Sequence, residues 1–217
     1  MKAGADRILR TEQAHYLDGL VRPRDALLRR LEADAQAQRQ PISDPEVAQL
    51  LHILCAMHRP QQLVEVGCNI GYGAIVLGRA MGPNARLSTV EHSAPLADMA
   101  RANVAEAGLA DRVTVVTQDA IAFLRERQSP VDFAYIDCVK EDYPAYLELL
   151  APHMGPGAVL VADNVLWRGL VAHTEVPADE LPRVEALRAF NARIAAAPWD
   201  GVVLPLGDGV AVAVRRA

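Results

Sequence analysis

The chain has 217 residues, of which 51% are hydrophobic and 23% charged, with a formal net charge of −5. That length suffices for one domain whose core needs neither disulfides nor a structural metal. The mild acidity disfavours a broad nucleic-acid-binding face or a basic membrane-surface helix, both of which rely on Lys and Arg.

The amino-terminal stretch Met1–Leu20 carries charges throughout and has no apolar signal core. No window is long and apolar enough to span a bilayer, so the cytoplasm is the expected compartment. Cys55, Cys68 and Cys138 form no CxxC and no Cys/His cluster. They are expected to be reduced thiols. Asp25–Gln38 is rich in good helix formers. A second helix is signalled by Ser43-Asp44-Pro45-Glu46, with Ser43 as the expected cap, and carries Val47, Leu50, Leu51 and Leu54 on one stripe. From Gln62 short apolar runs alternate with helical patterns: Leu63–Val66 then Tyr72–Met81, Leu87–Val90 then Leu96–Ala107, Val113–Thr117 then Ala120–Glu126. Val131–Ile136 then Tyr143–Leu150 and finally Ala158–Ala162 continue the series. This alternation implies βαβ units and a doubly wound, mostly parallel sheet with helices on both faces. After a helix over roughly Val184–Ala196, the runs Val202–Leu206 and Val210–Val214 flank Gly207-Asp208-Gly209 and read as a hairpin. The last strand is therefore expected to be antiparallel, at the edge of the sheet. One domain over residues 1–217 is expected, with amino-terminal helices in 1–60 and the core in 61–217.

Ligands of such sheets bind beyond the carboxyl ends of the strands. The first strand runs into Gly67, Gly71 and Gly73, which let a ligand approach the backbone and helix N–H groups closely. The loop lacks the Gly-Lys-Ser/Thr ending of a phosphate cradle and the G-x-G-x-x-G dinucleotide pattern, and nothing basic follows it. An adenosyl group without phosphate fits better. Glu91 ends the second strand, placed either to accept the two hydroxyls of a ribose or to stand as a solvated acid. Around Gln118-Asp119-Ala120 the choice lies between contact with an adenine edge and an ordinary cap by Asp119. The fourth and fifth strands end in Asp137 and in Asp163-Asn164. If the two strands are neighbours, three hard oxygen donors converge, a set suited to Mg²⁺ or Ca²⁺, Mn²⁺ being a further candidate.

At these residues the sequence resembles the small metal-dependent O-methyltransferases of the catechol and caffeoyl-coenzyme A type, from about Ile42 to the end. The likeness rests on Leu63-Val-Glu-Val-Gly67, Gly71-Tyr72, Glu91, Asp137-x-x-Lys140-x-x-Tyr143 and Asp163-Asn164-Val-Leu-Trp167-x-Gly169. Phe190-Asn191 and Leu204-Pro-Leu-Gly-Asp208-Gly209 extend it. The resemblance implies a Rossmann-like class I methyltransferase fold. It also implies an S-adenosylmethionine pocket lined by Ile42, Glu65, Gly67, Cys68, Gly71 and Gly73, with Glu91 on the ribose and Gln118 and Ala120 near adenine. Asp137 would serve both the cofactor edge and the metal, beside Asp163 and Asn164, and Lys140 would be the general base. Gly73 stands where the family often has Ser, and Cys138 and Val139 where it has Ala and Asp. Trp167 either stacks on a flat acceptor or covers the core.

The reaction implied is methyl transfer to one hydroxyl of a small catechol-like (ortho-dihydroxy) aromatic. The resemblance also suggests a homodimer, with residues before Pro41 covering the acceptor pocket. A hydroxylated transfer-RNA base is the alternative acceptor, which the acidic balance disfavours, and a non-catalytic cofactor-binding protein is disfavoured by Lys140 and the three donors.

Overall fold

Apolar runs of four to six residues that must be covered on both faces, each followed by an amphipathic segment, are satisfied by a parallel sheet between two helical layers. The computed structural model, which describes residues 11–22 and 24–217, has this arrangement. Met1–Arg10, half of the stretch read as lacking a signal core, lie outside the described residues. Among the described residues seven strands form one sheet: β1 (Gln62–Val66), β2 (Arg86–Glu91), β3 (Val113–Thr117), β4 (Phe133–Ile136), β5 (Val159–Ala162), β6 (Trp199–Leu204) and β7 (Val210–Arg215). Their order is β3-β2-β1-β4-β5-β7-β6. Neighbours from β3 to β5 are parallel, and β7 is antiparallel to both β5 and β6. Helices α1 (Thr11–Asp18), α2 (Ala26–Gln38) and α3 (Pro45–His58) precede the sheet. The helices α4 (Tyr72–Ala80), α5 (Ala94–Glu106), α6 (Ala120–Arg125), α7 (Tyr143–Leu150) and α8 (Leu181–Ile194) follow in chain order.

The pleat sends alternate residues to two cores. In β1, Leu63 joins Leu51, Ile75, Leu77 and Tyr135 on one face. Val64 and Val66 join Ile136, Tyr146 and Phe190 on the other. Each such side chain, fully buried, contributes about 1.5–3 kcal/mol relative to exposure. The expected elements agree with these to within a few residues, and α7 coincides with the Tyr143–Leu150 expectation.

Two details differ from expectation. The last strand is antiparallel but lies inside the sheet, and β6 takes the edge. A hairpin turn dictates only that two strands are adjacent; burial decides which one docks. Val210, Ala211 and Ala213 of β7 are buried, whereas β6 carries Asp200 and the exposed Val202. Ser43 does not cap α3 either: the cap position is Asp44, without a side-chain capping hydrogen bond. The Ser43 hydroxyl is instead buried against Tyr135 Oη at 2.8 Å. No helix among the described residues is long and apolar enough to cross a membrane. Cys55, Cys68 and Cys138 are all free thiols.

Candidate active site

The chain passes from β1 toward β2 on one side and later returns to β4 on the other, so the strand order reverses between β1 and β4. Ligands of doubly wound sheets bind at such a point. The register aligns the candidate residues there. Val66 pairs with Val90 and Ile136, and Ile136 with Ala162, so Gly67, Glu91, Asp137 and Asp163 all emerge at one edge. Gly67 is at φ +97°, and a Cβ on it would lie 2.0 Å from the Asp137 carbonyl oxygen. Only glycine lets the β1 and β4 loops meet backbone to backbone.

On the β1–β2 side the site is shaped largely by main chain. Gly71, at φ +88°, opens α4, and a side chain there would press on Ala100. Glu91 is buried, with Oε2 accepting from the Asn69 N–H at 2.9 Å and Oε1 from the Ser93 N–H at 2.9 Å. Both oxygens keep lone pairs for a ligand's hydroxyls. Asn69 donates its side-chain amide to the Pro41 carbonyl at 2.6 Å, while its buried Oδ1 has no hydrogen-bond partner. Ile42 packs, half-buried, on the core beside this contact. Cys68 is buried, and burial, with Glu65 adding to it, pushes its thiol far above the ordinary value, so it stays neutral. Asp119 does cap α6, accepting from the Ala122 N–H at 2.9 Å. Gln118 turns its amide to Glu126 at 3.0 Å, and Ala120 is buried at the helix start.

A row of polar groups lies under this edge: Thr89, Glu65 and Tyr135 are register partners across β2, β1 and β4, and all are buried. Thr89 donates its hydroxyl to Glu65 Oε2. Glu65 Oε1 fills the space above Gly73, 2.2 Å from where a Cβ would stand. The absence of a side chain at Gly73 is thus matched by the position of Glu65. Burial, followed by the charge of Asp137, pushes the Glu65 carboxyl up to about 8.

On the β4–β5 side the site is made of interacting charges. Lys140 starts a 3-10 turn (Lys140–Asp142), and its buried ammonium donates to Asp137 Oδ1 at 2.8 Å and to Tyr143 Oη at 2.9 Å. Burial alone would lower its pKa, but Tyr143 and Asp137 outweigh it and hold Lys140 above the ordinary lysine value. Tyr143 Oη in turn donates to the Asp163 carbonyl at 2.8 Å. Asp163 is buried; Oδ1 accepts from the Asn164 N–H at 2.7 Å and Oδ2 from Tyr135 Oη at 3.3 Å. Burial and then the Asp137 charge push Asp163 up to about 7. Among the described residues no three His, Cys, Asp or Glu groups form a cluster that could hold a metal ion.

The loop after β5 is braced from behind. Asn164, Trp167, Arg168 and Gly169 all have positive φ, at 56°, 46°, 55° and 82°. Asn191 Nδ2 donates to the Val165 carbonyl at 2.9 Å. The Arg168 N–H donates to Asp208 Oδ1 at 2.6 Å, and the Leu166 N–H to the Asp208 carbonyl at 3.0 Å. Asn191, Asp208 and Gly209 thus hold the backbone of the loop that follows Asp163-Asn164. Trp167 donates Nε1 to Glu180 at 2.7 Å, and its ring faces the Arg168 and Arg183 guanidiniums at 5.1 and 5.7 Å.

The model of the family described as O-methyltransferase matches residues 24–216. The chain belongs to this O-methyltransferase family. It is 32% identical to a catechol O-methyltransferase of Niastella koreensis, over 93% of this chain and 96% of the relative. A caffeoyl-CoA O-methyltransferase of Stellaria longipes is 26% identical, over 94% and 90%. The solved O-methyltransferase of Bacillus cereus in complex with SAH superimposes with a TM-score of 0.84 at 30% identity, covering 95% of this chain and 98% of that one. The protein is a S-adenosylmethionine-dependent O-methyltransferase.

Three buried polar residues at this edge were not read as site residues from the sequence: Ser43, expected instead to cap a helix, Thr89 and Tyr135. Strand alternation held the signal for Tyr135. It lies two residues before Asp137 and so on the same face of β4.

Proposed function

We propose that the enzyme transfers the methyl group to one hydroxyl of a small ortho-dihydroxy aromatic, using a divalent cation held by Asp137, Asp163 and Asn164. The observation that carries this reading is the pair of carboxylates at the adjoining ends of β4 and β5, one of them raised to about 7 by burial and by the other's charge. Such a pair is a cation site in chemistry as well as position: hard oxygen donors, like charges at close quarters and an amide beside them. Mg²⁺ suits this set best, with Mn²⁺ and Ca²⁺ as substitutes. The names of the relatives include catechol, the simplest ortho-dihydroxy aromatic.

The methyl donor supplies an electrophilic methyl group on sulfonium. Asp137, Asp163 and Asn164 would hold the cation, whose positive charge would acidify an acceptor hydroxyl and lower the pKa of the neighbouring Lys140. Lys140 Nζ then takes the phenolic proton, a role worth about 10²–10⁴-fold in rate. Tyr143, bonded to both Lys140 and the Asp163 carbonyl, keeps the amine aimed at the edge. Glu91 receives the ribose hydroxyls on lone pairs left by Asn69 and Ser93, and Asn69 Oδ1 offers an unused acceptor beside them. Glu65, Gly67, Cys68, Gly71, Gly73, Ile42, Gln118 and Ala120 line the donor's side, and Trp167, steadied between two arginines, edges the acceptor's side. A cytoplasmic homodimer, with residues before Pro41 at the interface, completes the reading.

The test is methyl transfer from labelled donor to a panel of phenols, with excess chelator and then with added Mg²⁺. Transfer to catechol that stops under chelation and returns with Mg²⁺ is the expected result. Full transfer in chelator removes the cation from the mechanism while leaving the donor site standing.

A further inference from the structure

Ser43 lies in the segment that leads into α3, 92 residues before its partner in the chain, yet it reaches the carboxyl edge of the sheet. Its Oγ is 2.8 Å from Tyr135 Oη, and Tyr135 Oη is 3.3 Å from Asp163 Oδ2. Side chains of all three residues are buried, at 7%, 1% and 2% exposure, so bulk water cannot replace these bonds. A carboxylate only accepts, and a phenol has one proton. When Asp163 is ionised, Tyr135 donates to Asp163, and Ser43 is left to donate to Tyr135. In that ionised state the chain runs Ser43 Oγ to Tyr135 Oη to Asp163 Oδ2. With Oδ1 bonded to the Asn164 N–H at 2.7 Å, each oxygen of Asp163 has one protein partner and a lone pair in reserve.

We infer that Ser43 and Tyr135 are positioning residues that orient Asp163 as a cation ligand, and that they join the segment before α3, where Pro41 also holds the glycine loop through Asn69, to the cation side of the site. This rests on the reading of Asp163 as a ligand. Partners behind a ligand commonly contribute 10–100-fold to affinity. Removal of the Tyr135 hydroxyl takes away the bond to Asp163 itself, whereas removal of the Ser43 hydroxyl acts only through Tyr135.

The experiment is a titration of the full-length protein with Mn²⁺, reading the free ion by its electron paramagnetic resonance signal. Wild type, Tyr135→Phe, Ser43→Ala and the double variant are compared, with SAH affinity and thermal unfolding measured on each. Tyr135→Phe is expected to weaken Mn²⁺ binding about 10-fold, the lower end of that range. Ser43→Ala should weaken it about 3-fold, and the double variant no more than Tyr135→Phe alone, since both act along one chain. SAH affinity should stay within about 2-fold, which separates an effect on Asp163 from a general loosening of the site. Wild-type Mn²⁺ affinity in Tyr135→Phe, or two losses that add, overturns the inference while the cation reading stands. If wild type itself binds no Mn²⁺, both fall together. Should Tyr135→Phe fail to fold, Ser43→Ala decides alone, and an unchanged Mn²⁺ affinity there overturns the inference.

Discussion

At the β1–β2 side of the carboxyl edge, Glu91 is held by the N–H groups of Asn69 and Ser93, and Gly67 and Gly71 shape the loop by having no side chain. At the β4–β5 side, Asp137, Lys140, Tyr143, Tyr135 and Asp163 are linked by side-chain hydrogen bonds and by the bond from Tyr143 to the Asp163 carbonyl, and nearly every member shifts another's pKa. The first half is built for a ligand of one shape and needs no charge change to receive it. The second gathers Asp137 and Asp163 around the Lys140 ammonium, and in the proposed function a cation completes it. A donor common to many acceptors suits a main-chain cradle, and a site that must move a proton needs groups whose proton affinities depend on one another.

The largest effect expected from breaking this division is that of Lys140→Ala. Turnover should fall about 10²–10⁴-fold at neutral pH and recover in part as the acceptor ionises at higher pH, while SAH affinity is retained. Loss of SAH binding in parallel with turnover would show that the two halves are not separable there. Gly67→Ala comes next, because Gly67 belongs to both halves. A side chain at φ +97° costs about 1–3 kcal/mol before the clash with the Asp137 carbonyl is counted. Thermal unfolding should come at a lower temperature and SAH binding should weaken as well; an unchanged melting curve would contradict the backbone contact. Glu91→Ala tests the donor half alone. Removing bonds to a charged acceptor should weaken S-adenosylmethionine binding by about 1.5–3 kcal/mol in calorimetric titration, with Mn²⁺ affinity unchanged.

The smallest effect is one of pH. The folded protein keeps the Glu65 proton up to about pH 8, whereas a free glutamate releases it near 4.5. Between those values the folded state binds the extra proton, so this group's contribution to stability falls as pH rises. The ligand-free enzyme should melt at a lower temperature at pH 8.5 than at pH 6, and Glu65→Gln, which carries no proton to lose, should flatten part of that slope. An equally steep slope in Glu65→Gln would assign the dependence to other groups.

The order of strands and helices was legible because a parallel sheet imposes a repeating rhythm of apolar runs and helix formers. Residues that end strands were legible for the same reason, so the place of Glu91, Asp137, Asp163 and Asn164 at the carboxyl edge could be read from position alone. Ser43 was misread because Ser-Asp-Pro-Glu satisfies a local capping rule, while its actual partner lies 92 residues away. Asp119, by contrast, obeys the local rule and caps α6. The hairpin was visible in Gly207-Asp208-Gly209, but the choice of β7 over β6 as the neighbour of β5 depended on burial against the whole sheet.

The sequence by itself therefore determined the βαβ series, the glycine loop, the acids at the strand ends and the motif that marks an O-methyltransferase, all features carried by neighbours in the chain. Only the tertiary structure decided that Glu65 occupies the space over Gly73, that Lys140 is tied to Asp137 and Tyr143, and that Asp163 answers to Ser43 through Tyr135. Proton affinities and hydrogen-bond partners depend on which groups share a buried volume, and that volume exists only after distant strands have packed.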